Sequence, residues 1–256
     1  MLENKLALVM PAAGCGSRFV KLGYDVPKPL LELEGRPFFW WATESVRRVA
    51  DLRQMVFVVQ QEHVKAFAID QKIKSYYPDA TVVPISHRTS GAAETAKIGV
   101  DALRSPGAVA INDCDHAFIC PRLPELLAAL QASMDGALMC FRSAEPAYSY
   151  LKLGLNHEVT GTVEKQVASP FAIAGCYLFA RSERFQALYA PYRQECRYSE
   201  LFLSGMFNLL AQDHSKIGML ELERHCSFGT PEEKNAISPD VFAPFLAWKG
   251  AGHAAQ

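Results

Sequence analysis

The chain has 256 residues, half of them apolar and 21% charged, with 26 basic against 27 acidic side chains and a formal net charge of −1. This is the balance of a globular protein with room for a substantial core, and it carries no overall field that would recruit nucleic acid or an acidic membrane. Any cations that bind phosphate must therefore be placed locally, which points to a small anionic ligand rather than a polymer.

Leu6–Met10 is a short apolar run ending in Pro and Gly, the pattern of a buried strand feeding a loop. Apolar residues at 38, 39, 42, 46 and 49 predict a helix over Pro37–Ala50, with the Phe38–Trp41 aromatic run serving packing. Met55–Val59 reads as a second buried strand, Glu62–Tyr77 as a helix and Thr81–Ile85 as a third strand. A loop containing Gly91 leads into a helix over Ala92–Arg104, and Ala108–Ile111 is a fourth strand ending in Asn112-Asp113-Cys114-Asp115. Alternation of strand and helix implies an α/β protein with a parallel sheet covered on both faces. Beyond Pro121 the pattern changes. A helix over Leu123–Met134 and a strand over Gly136–Arg142 precede three short runs, Tyr148–Leu155, Val159–Val167 and Ala172–Ala180, expected as antiparallel additions. Helices over Glu183–Tyr189 and Glu200–Asp213 and a strand over Ile217–Leu222 complete the reading. No linker or repeat interrupts it, so one domain is expected over residues 1–249, with a tail from Gly250 that frays.

The seven cysteines are scattered with no Cys-x-x-Cys pair, which fits reduced thiols better than a zinc site or a disulfide framework. No run approaches the ~18 apolar residues of a membrane span. The apolar start is short and lacks a basic flank and cleavage site, so no signal peptide is read and the protein is expected in the cytoplasm, without a membrane partner.

The first strand runs into Gly14-Cys15-Gly16-Ser17-Arg18. Glycines let backbone approach a phosphate and turn N–H groups toward it, Ser17 can donate a hydrogen bond, and Arg18 can form a two-pronged contact with phosphate oxygens. Lys28 sits between Pro27 and Pro29, which stiffen the segment and fix the direction of its ammonium. A Walker loop is excluded by the missing Gly-Lys-Ser/Thr ending, and a dinucleotide fingerprint by Phe19 at the place of its third glycine.

Together, PAAGCGSRF…PKPLLELEGRPFFWW resembles the signature region of the sugar-phosphate nucleotidyltransferases. Further matches follow in order at Thr89–Thr95, Asp113–His116, Val163-Glu164-Lys165, Ala174-Gly175-Cys176-Tyr177 and Phe228–Glu233. The resemblance implies the GT-A-like nucleotide-diphospho-sugar transferase fold, a Rossmann-like three-layer α/β/α architecture with a mixed, mostly parallel central sheet. It implies a nucleotide-binding part at about 5–120 and an acceptor-binding part at about 121–235. Nucleotide would lie against Ala12, Ala13, Gly14, Gly16 and Ser17, with Gly91, Ala92 and Thr95 reading the base. Glu164, Gly175 and Tyr177 would bind the acceptor. Arg18, Lys28 and Lys165 would be the catalytic cations. Within the family the chain looks nearest to the bacterial branch that activates building blocks of capsules and other surface polysaccharides.

Asp113 and Asp115 follow the fourth strand at its carboxyl end, the edge where open α/β sheets bind ligands. Paired carboxylates beside phosphates suit Mg²⁺. The resemblance favours Asp115 as ligand, with Asp113 a second ligand or an orienting group and His116 a neighbour. One departure matters: Ser227 stands where the family carries a second metal aspartate, which leaves Asp115 with the nucleotide alone, a substitute at Asp113 or Glu223, or weakened catalysis. On a strand, Glu164 and Lys165 would point to opposite faces, so a bulge or strand end is needed for both to reach one ligand.

The expected reaction is in-line attack of an acceptor phosphate oxygen on the α-phosphorus of an NTP, CTP or UTP being favoured, with a sugar 1-phosphate the default acceptor. Two other readings stay open: a GT-A glycosyltransferase using Asp113-x-Asp115, and a non-catalytic nucleotide-binding protein.

Overall fold

The computed structural model describes residues 5–250. Its N-terminal half contains strands β1 (Leu6–Ala12), the two-residue pair β2 (Glu32–Leu33) and β3 (Arg36–Pro37), and then β4 (Leu52–Gln60), β5 (Thr81–Ile85), β6 (Val109–Asn112) and β7 (His116–Ile119). Between them lie helices α1 (Ser17–Lys21), α2 (Phe38–Arg47), α3 (Gln61–Phe67), α4 (Ile69–Tyr76) and α5 (Ala92–Asp101). The second half adds α6 (Leu123–Ser133), β8 (Gly136–Arg142), β9 (Ser149–Leu153), β10 (Val159–Glu164), β11 (Phe171–Phe179), α7 (Ser182–Glu195) and α8 (Leu203–Gln212). β12 (Ile217–Glu221), β13 (Arg224–Ser227), α9 (Pro231–Ala236) and α10 (Pro239–Ala247) close the described chain.

Nine strands form one mixed sheet in the order β10-β9-β11-β6-β1-β4-β5, with β8 and β12 branching from β11. β6, β1, β4 and β5 are mutually parallel, whereas β11 runs antiparallel to β6, β8 and β9. Both faces are covered, which explains why β1 is apolar at successive positions. Ala7 and Val9 pack with α5, α7 and α8, while Leu6 and Leu8 pack with α2 and α6.

The strand order creates the site. One edge of β11 pairs with β9 at Ala172 and then with β6 from Cys176, and between the two it bulges around Gly175. A separate two-stranded ribbon, β7 with β13, places Ser227 opposite His116, and Phe228 N–H donates to the Asp115 carbonyl at 2.9 Å. A sequence stretch far from the N-terminus is thereby stapled to the aspartate segment.

The differences from the sequence reading have local causes. The helix expected over Glu62–Tyr77 is two helices, because Ala68 adopts a left-handed φ of 48° and reorients the chain so that Ile69 and Ile73 bury. α7 runs on through Pro191 to Glu195, since Tyr192 continues its buried face. α8 begins at Leu203 rather than Glu200, leaving 196–202 irregular. The ribbon β7–β13 and helices α9 and α10 were not anticipated. α10 is held by Phe242, whose ring meets Trp41 edge-on at 4.7 Å, so the aromatic run of α2 does serve packing. The tail beyond Gly250 lies outside the described residues.

Candidate active site

The residues nominated from the sequence, Glu223 excepted, line one cleft of about 740 Å³, within the size range of small-molecule sites. The glycine loop forms one rim. Gly16 takes a left-handed φ of 57° immediately before α1, and a Cβ there would stand 3.3 Å from Lys28 Cβ. The loop thus rests on the Lys28 stem, and the Pro27–Pro29 segment, a single 3₁₀ turn, fixes that stem. Arg18 is exposed at the cleft and forms no ion pair with any described residue. Its guanidinium is free for an anion.

Lys28 Nζ lies 2.7 Å from Asp115 Oδ2, with about a fifth of each side chain exposed. Burial works against the charge of both groups, but each is the other's counter-ion. The Lys28 ammonium is held above its ordinary range and the Asp115 carboxyl below its own. Asp113 moves the other way, up to about 7, through burial first and then the negative charges of Asp115 and Glu164. Two carboxylates with opposed shifts therefore face one cavity, and the excess negative charge at Asp113 is the kind a divalent cation relieves. The hard oxygen donors fit Mg²⁺. Among the described residues no three His, Cys, Asp or Glu side chains group closely enough to hold a metal alone, so phosphate and water would complete its shell. His116 is a neighbour. Its Nε2 donates to Asn112 Oδ1 at 3.1 Å, and burial pushes its pKa down to about 4.

Gly175 meets Asp113 directly. Its φ is +66°, and a Cβ would lie 2.9 Å from Asp113 Oδ2, while Asp113 N–H donates to the Gly175 carbonyl at 2.9 Å. The close approach this glycine allows is made to the aspartate. Gly175→Ala is expected to displace Asp113 and destabilise the fold by about 1–2 kcal/mol through left-handed strain, read by urea unfolding. An unchanged midpoint would show that the bulge absorbs the methyl group.

On the opposite wall, β10 ends at Glu164, and Lys165 takes a left-handed φ of 54°. The strand end and this turn remove the alternation, so both side chains line the cleft. Glu164 Oε1 accepts from Ser149 at 2.6 Å and also from Ser204. Tyr177 lies buried in the same cleft. At the start of α5, Thr89 and Thr95 share a hydroxyl hydrogen bond of 2.7 Å, and the Ser90 N–H donates to Glu94 Oε2 at 2.5 Å.

Several lining residues were not nominated from the sequence: Arg88, Ser199, Glu200, Phe202 and Glu233. The Tyr148 hydroxyl donates to Glu233 Oε1 at 2.6 Å, with Ser227 beside it. Glu233 also closes a capping box with Thr230 at the start of α9. Glu223, weighed from the sequence as a substitute ligand, is exposed and does not line the cleft. The Thr-x-x-Glu spacing of 230–233 was the readable signal for Glu233.

No helix among the described residues is long and apolar enough to cross a membrane. The model of the MobA-like NTP transferase domain matches residues 8–206. The 2-C-methyl-D-erythritol 4-phosphate cytidylyltransferase of Chromobacterium violaceum is 33% identical over 141 residues, 52% of this chain and 56% of that protein. The bifunctional enzyme IspD/IspF of Nitratidesulfovibrio vulgaris is 30% identical over 139 residues, 50% of this chain and 33% of that protein. The chain thus spans from a third to just over half the length of these curated relatives. Among solved structures, a nucleoside-diphosphate-sugar pyrophosphorylase from Vibrio cholerae RC9 superposes with a TM-score of 0.75 at 24% identity, covering 94% of this chain and all of that one. The inositol-1-phosphate CTP transferase from T. maritima gives 0.73 at 14% identity, over 95% of each chain. These two likenesses bear on the fold.

Proposed function

The chain belongs to the MobA-like NTP transferase family, and from that premise we propose that it transfers a nucleotidyl group from an NTP to a small phosphorylated acceptor, releasing pyrophosphate. The observation that carries the reading is the meeting, in one cleft, of a glycine loop with free Arg18, the Lys28–Asp115 pair beside Asp113, and a second wall bearing Glu164 and Lys165. A site for one anion would need only the first wall. Two cationic positions facing across a carboxylate pair suit two phosphorylated ligands that must react with each other.

An oxygen of the acceptor phosphate attacks the α-phosphorus, its new P–O bond forming as the bond to the pyrophosphate oxygen breaks. The attacking phosphate is already ionised, so no general base is required. Positioning and charge neutralisation supply the catalysis. Arg18 and Lys28 hold the triphosphate, and Lys165 offsets the acceptor's charge as the two anions approach. Asp113 and Asp115 would hold Mg²⁺, which supplies further charge neutralisation at the phosphates. The acceptor is a sugar 1-phosphate or a similarly small phosphate, and CTP comes first among the NTPs because a similar protein is named for cytidylyl transfer. Synthesis of a surface-polysaccharide precursor is the role that fits such a product.

The test is a matrix of four NTPs against phosphorylated sugars, polyols and amino alcohols with Mg²⁺, read by pyrophosphate release. Turnover confined to one NTP–acceptor pair supports the proposal; NTP binding without turnover across the panel overturns it in favour of a non-catalytic nucleotide-binding protein. Arg18→Ala is expected to lose roughly 10²–10³-fold in kcat/KM with no change in unfolding midpoint, because the exposed side chain has no ion-pair partner among the described residues. A wild-type rate would remove Arg18 from the mechanism.

A further inference from the structure

The Glu164-Lys165 pair is held from outside its own strand, by the irregular segment 196–202 that joins α7 to α8. Tyr198 lies against the Glu164 backbone, and Ser204, just past the segment, donates to the Glu164 carboxylate. The Lys165 ammonium sits over the Phe202 ring at 5.4 Å from its centroid and forms no ion pair with any described residue. Phe202 is itself fixed by Tyr198, edge-on at 5.9 Å. The segment is in turn anchored to the base loop: Leu201 N–H donates to the Ser90 carbonyl and Ala93 N–H donates to the Leu201 carbonyl, each at 2.9 Å.

We propose that residues 198–202 form an acceptor-positioning strap in which Phe202 acts through Lys165, holding its ammonium where the acceptor phosphate binds. The inference rests on the nucleotidyltransferase reading above. A lysine on a left-handed turn at the cleft surface has a long, freely rotating side chain, and water would otherwise scatter its charge over many positions. The negative face of an aromatic ring attracts a cation without neutralising it. Phe202 therefore restrains the ammonium from one side and leaves its other side charged and open. A carboxylate in the same place would cancel the charge the acceptor needs. Phe202 is a positioning residue, and its worth lies in the ring face rather than in the volume it fills.

That distinction gives the test. Phe202→Leu keeps an apolar side chain and removes the ring, and it is expected to raise the acceptor KM about three- to thirtyfold, with kcat and calorimetric NTP affinity near wild type. Phe202→Tyr is expected to restore the wild-type KM. A wild-type KM in Phe202→Leu, or a parallel loss of NTP affinity that marks general damage, overturns the proposal. A second readout does not depend on turnover. In protein with ¹³C-dimethylated lysines, which keep their charge, the Lys165 signal (assigned by its loss in Lys165→Arg) should be shifted upfield by the ring and should move on titration with inorganic phosphate. Both features should weaken in Phe202→Leu. An unshifted signal in the wild-type protein overturns the strap assignment whatever the turnover. A shifted, phosphate-responsive signal in a protein that turns over no acceptor overturns the nucleotidyltransferase reading and leaves the Lys165–Phe202 geometry standing.

Discussion

Gly91→Ala is expected to cost about 3–5 kcal/mol of stability and to abolish measurable NTP binding, while Gly14→Ala, one strand away in the same cleft, leaves the unfolding midpoint within about 0.5 kcal/mol of wild type. Gly91 has φ 149° and ψ −179°, a conformation essentially confined to glycine. A Cβ there would lie 2.5 Å from the Leu201 nitrogen and 2.7 Å from its carbonyl oxygen. Neither is the movable end of a side chain. The methyl group would have to break the two backbone hydrogen bonds between strap and base loop, and those bonds position Thr95 on one side and Phe202 on the other. Gly14 presents the opposite case. Beyond its chain neighbours, no heavy atom of the described residues lies within 4 Å of its would-be Cβ, so the fold does not need that position to be glycine. A phosphate lying against the loop does, and Gly14→Ala is expected to weaken NTP binding alone. Denaturant unfolding together with calorimetric NTP titration separates the two. Equal stabilities for the two variants would show that the strap is not seated on Gly91.

This contrast marks what could be read from the sequence and what could not. The glycine loop's place in the cleft was legible because its signal lies in residue types: glycines, a serine and an arginine after a buried strand, with a lysine clamped by prolines. All of these line the cleft. The strands of the parallel half were equally legible, since burial on both faces writes a continuous apolar run. The strap was not legible, because Leu201 acts through its peptide groups, and backbone donors leave no trace in residue identity. Its neighbours Glu200 and Phe202 read as the start of a helix that in fact begins at Leu203. Gly91 and Gly175 were noticed, but as places where ligand comes close. The close approaches in the fold are to Leu201 and to Asp113. A glycine in a sequence says that something comes near; it does not say what. The carboxyl-terminal segment at Ser227–Glu233 was noticed, but the ribbon that brings it to the site was hidden for another reason. β13 pairs with β7 across more than a hundred residues of chain, and four-residue strands carry too little periodicity to announce themselves.

Lys28→Met is expected to lower kcat/KM by about 10²–10³-fold and also to destabilise the protein by about 1–3 kcal/mol at neutral pH, the second effect fading in acid. The two losses have different origins. Catalysis loses a cation that the proline-flanked turn aims at the triphosphate. Stability loses the counter-ion of a half-buried carboxylate, Asp115 at 2.7 Å. Asp115 is depressed in the folded protein, so its ion pair contributes fully above the ordinary aspartate pKa and is lost as pH falls through the depressed folded value. In the variant burial and the adjacent Asp113 lose their main opponent, and Asp115 is expected to be pushed up instead. On acidification it takes a proton early and sheds its penalty. The stability gap between the two proteins should therefore be widest near pH 7, narrow as the variant's Asp115 protonates, and close once the wild-type carboxyl follows. Lys28→Met combined with Asp115→Asn should recover most of the lost stability at neutral pH but none of the turnover. Guanidinium unfolding across this pH range reads the first effect and pyrophosphate release reads the second. A gap that stays constant with pH would mean that Lys28 stabilises the fold by packing its stem under Gly16, and that its charge is reserved for the nucleotide.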